Sequence, residues 1–268
     1  MTTTTTAQLS DFDAILDALV ATAKGSNDVV GLVAFGSTAD RSRTDAGSDH
    51  DFAWITVPGA EETWRRDHSW LPRAERIAEH VVEHHGGVKV IYDDGHRLEF
   101  GVAALVDFAG WAGAPARVLV GDHTVAAAVE GVVARRPEGV PDAARSARLF
   151  LTQVLCGVER YHRGEVLSAS GLIRGEAVEQ LLRAIAQRIP GTRTGLDPLD
   201  PRRRFDVVYP QVAARIEELC RLLLPEAADA LIDLAVDVLS PGWDEFPHAG
   251  VAAVRRRVAG AGGEHNDG

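Results

Sequence analysis

Two short apolar runs, Leu32-Val33-Ala34-Phe35 and Phe52-Ala53-Trp54-Ile55, flank a polar segment that opens with Gly36-Ser37 and ends with Asp49-His50-Asp51. Aromatic and β-branched residues in runs this short predict strands, the first ended by Gly36 and the second by Pro58-Gly59. Side chains on a strand alternate faces with period two, so Asp49 and Asp51 project from one side, close enough to hold one divalent cation. Hard oxygen ligands of this kind suit Mg²⁺, which keeps several waters and borrows oxygens from substrate phosphates. Gly36-Ser37 at the end of a buried strand lets backbone approach a ligand closely, and a helix opening there would aim N–H groups at an anion.

A third carboxylate extends the pattern. Val88–Tyr92 and Leu98–Leu105 flank Asp93-Asp94-Gly95-His96 and predict a hairpin, with Glu99 between Leu98 and Phe100 and so facing away from them. If this strand lies beside the one that begins at Asp51, Glu99 reaches the same site. Taken singly, each piece is common: a Gly-Ser turn, a solvated strand start, the wet face of an antiparallel sheet.

The rest of the chain is mixed, then helical. A helix is expected over residues 8–23, with Leu9, Phe12, Ile15, Leu16, Leu19 and Val20 as its apolar stripe and Ser10 as its cap. Another is expected over 72–85 and an edge strand at Arg117–Val120. Near residue 120 the composition shifts from Gly, Asp and short β-type runs to Ala, Leu, Arg and Glu at helical spacing. Helices follow near 124–136, 142–163, 170–189, 207–223, 226–239 and 248–258, interrupted by Asp197-Pro-Leu-Asp-Pro201. The expected organisation is α+β: a mixed-sheet domain over 1–121, a helical bundle over 122–259 and a mobile tail over 260–268, with the Thr tract at residues 2–6 mobile as well.

His80-Val-Val-Glu83-His84 has the H-x-x-E-H pattern of inverted zinc peptidases. On a helix over 72–85 those three residues share the face of Arg76 and Glu79, opposite Ala74, Ile77, Ala78, Val81 and Val82, so a solvated face is expected there. No third ligand is evident.

With 28 basic and 39 acidic residues the net charge is −11, which repels a polyphosphate chain and argues against a long nucleic-acid partner. Cys156 and Cys220 form no C-x-x-C, so neither a disulfide framework nor a Cys-based zinc site is expected, and a reducing cytoplasm is the simplest home. No apolar stretch nears the ~20 residues that span a bilayer, and no basic-then-apolar leader opens the chain. A soluble, unprocessed protein is the expectation.

Residues 35–55 read F-G-S-T-A-D-R-S-R-T-D-A-G-S-D-H-D-F-A-W-I. This resembles the nucleotidyltransferase superfamily that shares the DNA polymerase β catalytic core: Gly-Ser, a loop of about ten residues, Asp-x-Asp in a strand, and a later acidic residue. The Arg-Leu-Glu-Phe strand and helical second half look like bacterial aminoglycoside and lincosamide adenylyltransferases, with looser likeness in Tyr161-His-Arg-Gly-Glu165 and Pro201-Arg-Arg-Arg-Phe205.

The resemblance implies that Gly36 and Ser37 hold a triphosphate, with Ser48 as a further contact. It implies that Asp49 and Asp51 bind Mg²⁺ and that Glu99 is the general base. The reaction would be Mg²⁺-dependent transfer of AMP from ATP, as co-substrate, to a hydroxyl of a small antibiotic, a resistance activity. The helical half would close over the nucleotide and wall the acceptor pocket, with Glu159, Glu165 and Trp111 toward the acceptor and Arg202-Arg203-Arg204 toward phosphates. A monomer or homodimer without membrane partners is expected. The same motif serves enzymes that modify proteins or RNA ends, and a non-catalytic nucleotide-binding or toxin-neutralising partner is the alternative from another class.

Overall fold

A computed structural model describes residues 2–45, 47–113, 115–135, 142–197 and 200–261. The chain forms two compact units, Met1–Pro137 and Glu138–Gly268.

The first unit is built on a six-stranded mixed sheet of order β3-β4-β5-β2-β1-β6. The strands are β1 (Val29–Phe35), β2 (His50–Thr56), β3 (Ile77–Val82), β4 (Gly87–Tyr92), β5 (Arg97–Ala104) and β6 (Ala116–Val120). The five expected strands are present, and β6 lies at an edge. All pairings are antiparallel except that of β2 with β5.

Period-two alternation splits the sheet into two packed faces. Leu32, Phe52, Trp54, Val88, Val90, Leu98, Phe100 and Val102 face α1 (Thr2–Gly25), which contributes Ile15, Leu19 and Ala23. Val33, Ala53, Ile55 and Ala103 face the other way, against Phe108 of α4 (Leu105–Phe108) and Val125, Val129 and Val132 of α5 (His123–Ala134). Asp122 caps α5 by accepting from the amides of Thr124 and Val125. Because α5 packs on this sheet, the shift in composition near residue 120 marks the end of the last strand and not the edge of the compact unit. Two short helices, α2 (Gly36–Ala39) and α3 (Glu61–Arg66), complete the unit.

Several local expectations are corrected. Helix α1 runs through the Thr tract and past Ser10, so Ser10 is not its cap; a helix anchored by Phe12–Ala23 tolerates the modest propensity cost of threonine at its start. No helix spans 72–85. Ala74–Arg76 is one 3-10 turn, Ile77–Val82 is the edge strand β3, and Glu83–Gly86 turn into β4. The H-x-x-E-H segment therefore lacks the helical turn on which a zinc site depends, and the His80 ring lies against His68, with centroids 4.5 Å apart.

The second unit is all-helical, comprising α6 (Ala143–His162), α7 (Val166–Ser170), α8 (Val178–Arg188), α9 (Phe205–Val208), α10 (Pro210–Leu219), α11 (Leu224–Leu239) and α12 (His248–Ala261). A π-helical stretch, Gly171–Ala177, joins α7 to α8, so the helix expected at 170 starts four residues earlier, at Val166. Phe150, Val154, Val158, Ile173, Leu181, Ile185, Leu231 and Ala235 form its core. Pro198 and Leu199 of the Pro-rich link and Gly262–Gly268 of the tail lie outside the described residues, while Ala259–Ala261 continue α12. Among the described residues no helix is long and apolar enough to cross a membrane.

Two features of the first unit yield predictions. Trp111 lies over β5 at Gly101, where an added methyl would stand 2.3 Å from its Cη2. Gly101→Ala is expected to destabilise the protein by about 1–3 kcal/mol, as overpacking does, and to shift Trp111 fluorescence; unchanged urea unfolding would refute the close packing. His50 is wholly buried, and burial lowers its pKa to about 3 against the raising effect of a hydrogen bond to Phe12, with nearby His96 lowering it further. The unfolded chain therefore binds a proton near pH 6.5 that the folded chain refuses. Stability is full above that pH and falls as pH drops toward 3, by up to ~1.4 kcal/mol per unit from this residue. Urea unfolding at pH 7.5 and 5.0 should differ by about 2 kcal/mol, and a flat profile would contradict the burial.

Candidate functional site

The parallel ladder between β2 and β5 sets the site. Its register places Asp51 directly beside Glu99, and His50 beside Leu98. By parity Asp51 and Glu99 share the face of Ala53 and Ala103, opposite α1. Asp49, one residue before β2, continues the alternation, and its Oδ2 lies 3.8 Å from Arg97 Nη2. Glu99 faces Lys89 across the β4–β5 ladder, with Nζ 3.7 Å from Oε1. Lys89 also reaches Glu83 at 3.2 Å, and these two carboxylates, Glu83 first, hold its ammonium pKa above the usual value.

Gly36 ends β1 with φ +53, a left-handed conformation that favours glycine, and a methyl added there would stand 3.5 Å from Asp51 Oδ2. The Gly-Ser end of β1 and the carboxylate of Asp51 are thus neighbours, as their order in the sequence suggested. The Gly36 amide, however, donates to the Pro115 carbonyl at 3.1 Å. Helix α2 is a single turn, and the Ser37 carbonyl accepts from Thr44 Oγ1 at 2.7 Å. Ser48 belongs to the loop itself: its hydroxyl accepts from the Asp45 amide at 2.9 Å and contacts Asp45 Oδ1 at 3.3 Å.

Thr38, the residue after Gly-Ser, is fully buried and was not singled out by the sequence pattern. Its Oγ1 accepts from the Asp51 amide at 3.0 Å and donates to the Asp49 carbonyl at 3.3 Å. One hydroxyl thereby fixes the backbone on both sides of His50. The available signal was a β-branched residue with a hydroxyl, buried at the start of a polar segment.

Among the described residues no group of three His, Cys, Asp or Glu side chains could hold a metal ion. Mg²⁺ is commonly held by one or two carboxylates plus phosphate oxygens and water, and Asp49 with Asp51 fits that donor set.

In the second unit the residues linked to acceptor and phosphate recognition are engaged locally. Glu159 pairs with Arg257 at 3.3 Å; Glu165 pairs with Arg163 at 2.8 Å and Arg160 at 3.2 Å, and Arg163, the largest cause, holds its carboxyl below the usual range. Arg202 binds Glu179 and the Gly175 carbonyl of the π-helical stretch, Arg203 lies 3.8 Å from Asp197, and Arg204 donates to the Gly195 carbonyl. The arginine run braces the turn before α9.

No family model and no curated protein matches the chain. Among solved structures it is similar to an aminoglycoside 6-adenyltransferase from Bacillus subtilis, at 11% identity over 93% of this chain and 98% of that one, with a TM-score of 0.37.

Proposed function

We propose that the chain is a nucleotidyltransferase that moves AMP from ATP to a hydroxyl of a small acceptor of the aminoglycoside or lincosamide kind. The observation that carries this reading is the in-register placement of Asp51 beside Glu99, with Asp49 preceding and Gly36 close to the Asp51 carboxylate. Nucleotidyl transfer to a hydroxyl needs phosphate charge neutralised on one side and a proton acceptor on the other, and adjacent strands carry candidates for both.

Asp49 and Asp51 would hold Mg²⁺, which when bound supplies charge neutralisation for the phosphates. Arg97 pairs with Asp49 at 3.8 Å and would share that carboxylate with a bound cation. Gly36, lacking a side chain, leaves the space beside Asp51 open, and Ser37 offers a hydroxyl at the same turn. Glu99 Oε takes the proton of the acceptor hydroxyl as its oxygen bonds to the α-phosphorus and the bond to pyrophosphate breaks. Lys89 Nζ stands 3.7 Å from Glu99 Oε1, so the base has a cationic neighbour on the adjacent strand. Trp111, over Gly101 two residues along the same face of β5, offers an apolar wall to a sugar or ring.

Two substitutions separate these roles. Asp51→Asn should abolish Mg²⁺-dependent pyrophosphate release in the presence of an aminoglycoside and lincosamide panel; retained turnover would remove the metal assignment. Glu99→Gln should slow transfer by ~10²–10⁴-fold with nucleotide affinity nearly intact, the usual share of a general base. Collapse of nucleotide binding in that variant would make Glu99 a ligand or a structural group instead. Mass spectrometry of the panel after incubation with ATP and Mg²⁺ should find one acceptor heavier by a nucleotide.

A further inference from the structure

His50 stands between the two carboxylates, and strand alternation turns its ring away from them, toward α1. There it is completely buried and stacked on Phe12, with ring centroids 3.7 Å apart and planes at 19°. Both ring nitrogens are used: Nε2 lies 2.9 Å from the Phe12 carbonyl oxygen and Nδ1 lies 2.8 Å from His96 Nε2. A carbonyl can only accept, so Nε2 carries the hydrogen. The buried, neutral ring then presents a lone pair at Nδ1, and His96 must donate through its own Nε2.

Those two bonds fix the tautomers of both rings and join three elements. They run from the β4–β5 turn, where the His96 amide donates to Asp94 Oδ1 at 3.0 Å, through β2 and into α1. Thr38 holds the peptide units on either side of the same residue. The segment Asp49-His50-Asp51 is thus gripped by its backbone on one side and by its central side chain on the other. A phenylalanine or leucine would fill the same space without needing partners, whereas an imidazole costs stability there unless both nitrogens are satisfied. The hydrogen bonds therefore serve orientation more than burial.

We propose that His50 is a positioning residue for the Asp49–Asp51 pair, its imidazole clamped between the Phe12 carbonyl and His96 so that the two carboxylates hold a fixed separation and direction on the opposite face. The inference rests on the nucleotidyl-transfer reading. Cation sites are sensitive to such outer groups, whose loss commonly costs 10–100-fold in affinity.

The test uses the full-length chain. Calorimetric binding of Mn²⁺ in the presence of a non-hydrolysable ATP analogue should weaken ~10–100-fold in His50→Phe, which keeps the ring volume and the stack on Phe12. His96→Leu, which leaves His50 in place, should weaken it in the same direction, and His96→Gln, which restores an amide donor, should recover it. Independently of any ligand, long-range ¹H–¹⁵N spectra should show His50 as the Nε2–H tautomer, and His96→Leu should shift the Asp49 and Asp51 amides. Wild-type affinity in folded His50→Phe and His96→Leu would overturn the proposal, as would an Nδ1–H tautomer. If His50→Phe does not fold, the His96 pair decides alone. If the wild type binds neither Mn²⁺ nor nucleotide, the nucleotidyl-transfer reading fails, and the clamp stands or falls on the spectra.

Discussion

The parallel ladder between β2 and β5 is the constraint on which the site depends. In a sheet otherwise antiparallel, this single pairing brings residues nearly fifty positions apart into register, so that Asp51 meets Glu99 side by side. A parallel pair cannot be closed by a tight turn, and here the connection takes in α3, β3 and β4 before β5 returns beside β2. The hairpin β4–β5 is local and its turn sets its own register. The pairing with β2 must be set by the packed faces: a slip of β5 by one residue would turn Phe100 and Val102 away from α1 and bring Glu99 into the core beneath it. The aromatic stack of Phe52 on Phe100, with centroids 4.9 Å apart and nearly parallel planes, lies next to the Asp51–Glu99 pair along the strands and locks that register.

Electrostatics and packing divide the work between the two faces. Toward α1 the sheet carries rings and β-branched side chains, and its one buried imidazole is satisfied at both nitrogens. On the opposite face two of the carboxylates have a cation within reach, Arg97 for Asp49 and Lys89 for Glu99, and these four side chains are between about a third and a little over half exposed. Pairs this exposed contribute little to stability. What such pairs leave is access: Asp49 and Glu99 remain open to solvent, each beside one exposed cation.

Much of this was legible from the residues. Strands β1, β2, β4, β5 and β6 follow from short β-branched and aromatic runs bounded by glycine and proline, and the shared face of Asp51 and Glu99 follows from alternation once the strands are neighbours. Strand β3 was not legible, because Ala74, Ile77, Ala78, Val81 and Val82 fit a helical stripe as well as a strand. Pairing with β4 decided the outcome, as tertiary context often does for short apolar segments. His50 also escaped notice. Between two acidic residues it reads as another polar side chain at a solvated strand start, and only the arrival of α1 and the β4–β5 turn makes it the most buried group of the three.

The short polar segment between β1 and β2 therefore has less freedom than its composition suggests. Asp40 caps the turn at Arg41–Arg43, Arg41 pairs with Asp13 at 2.6 Å and lies over the Phe12 ring, and Asp45 gathers Gly47 and Ser48 around its carboxylate. These are inexpensive local hydrogen bonds of the kind that Asp, Ser and Thr make with nearby backbone. Phe12 takes part twice, its ring between Arg41 and His50 and its carbonyl beneath His50 Nε2. A loop so tied to α1 delivers Asp49 and Asp51 to the start of the interior strand β2 with little conformational entropy left to lose, the condition under which a site is preorganised.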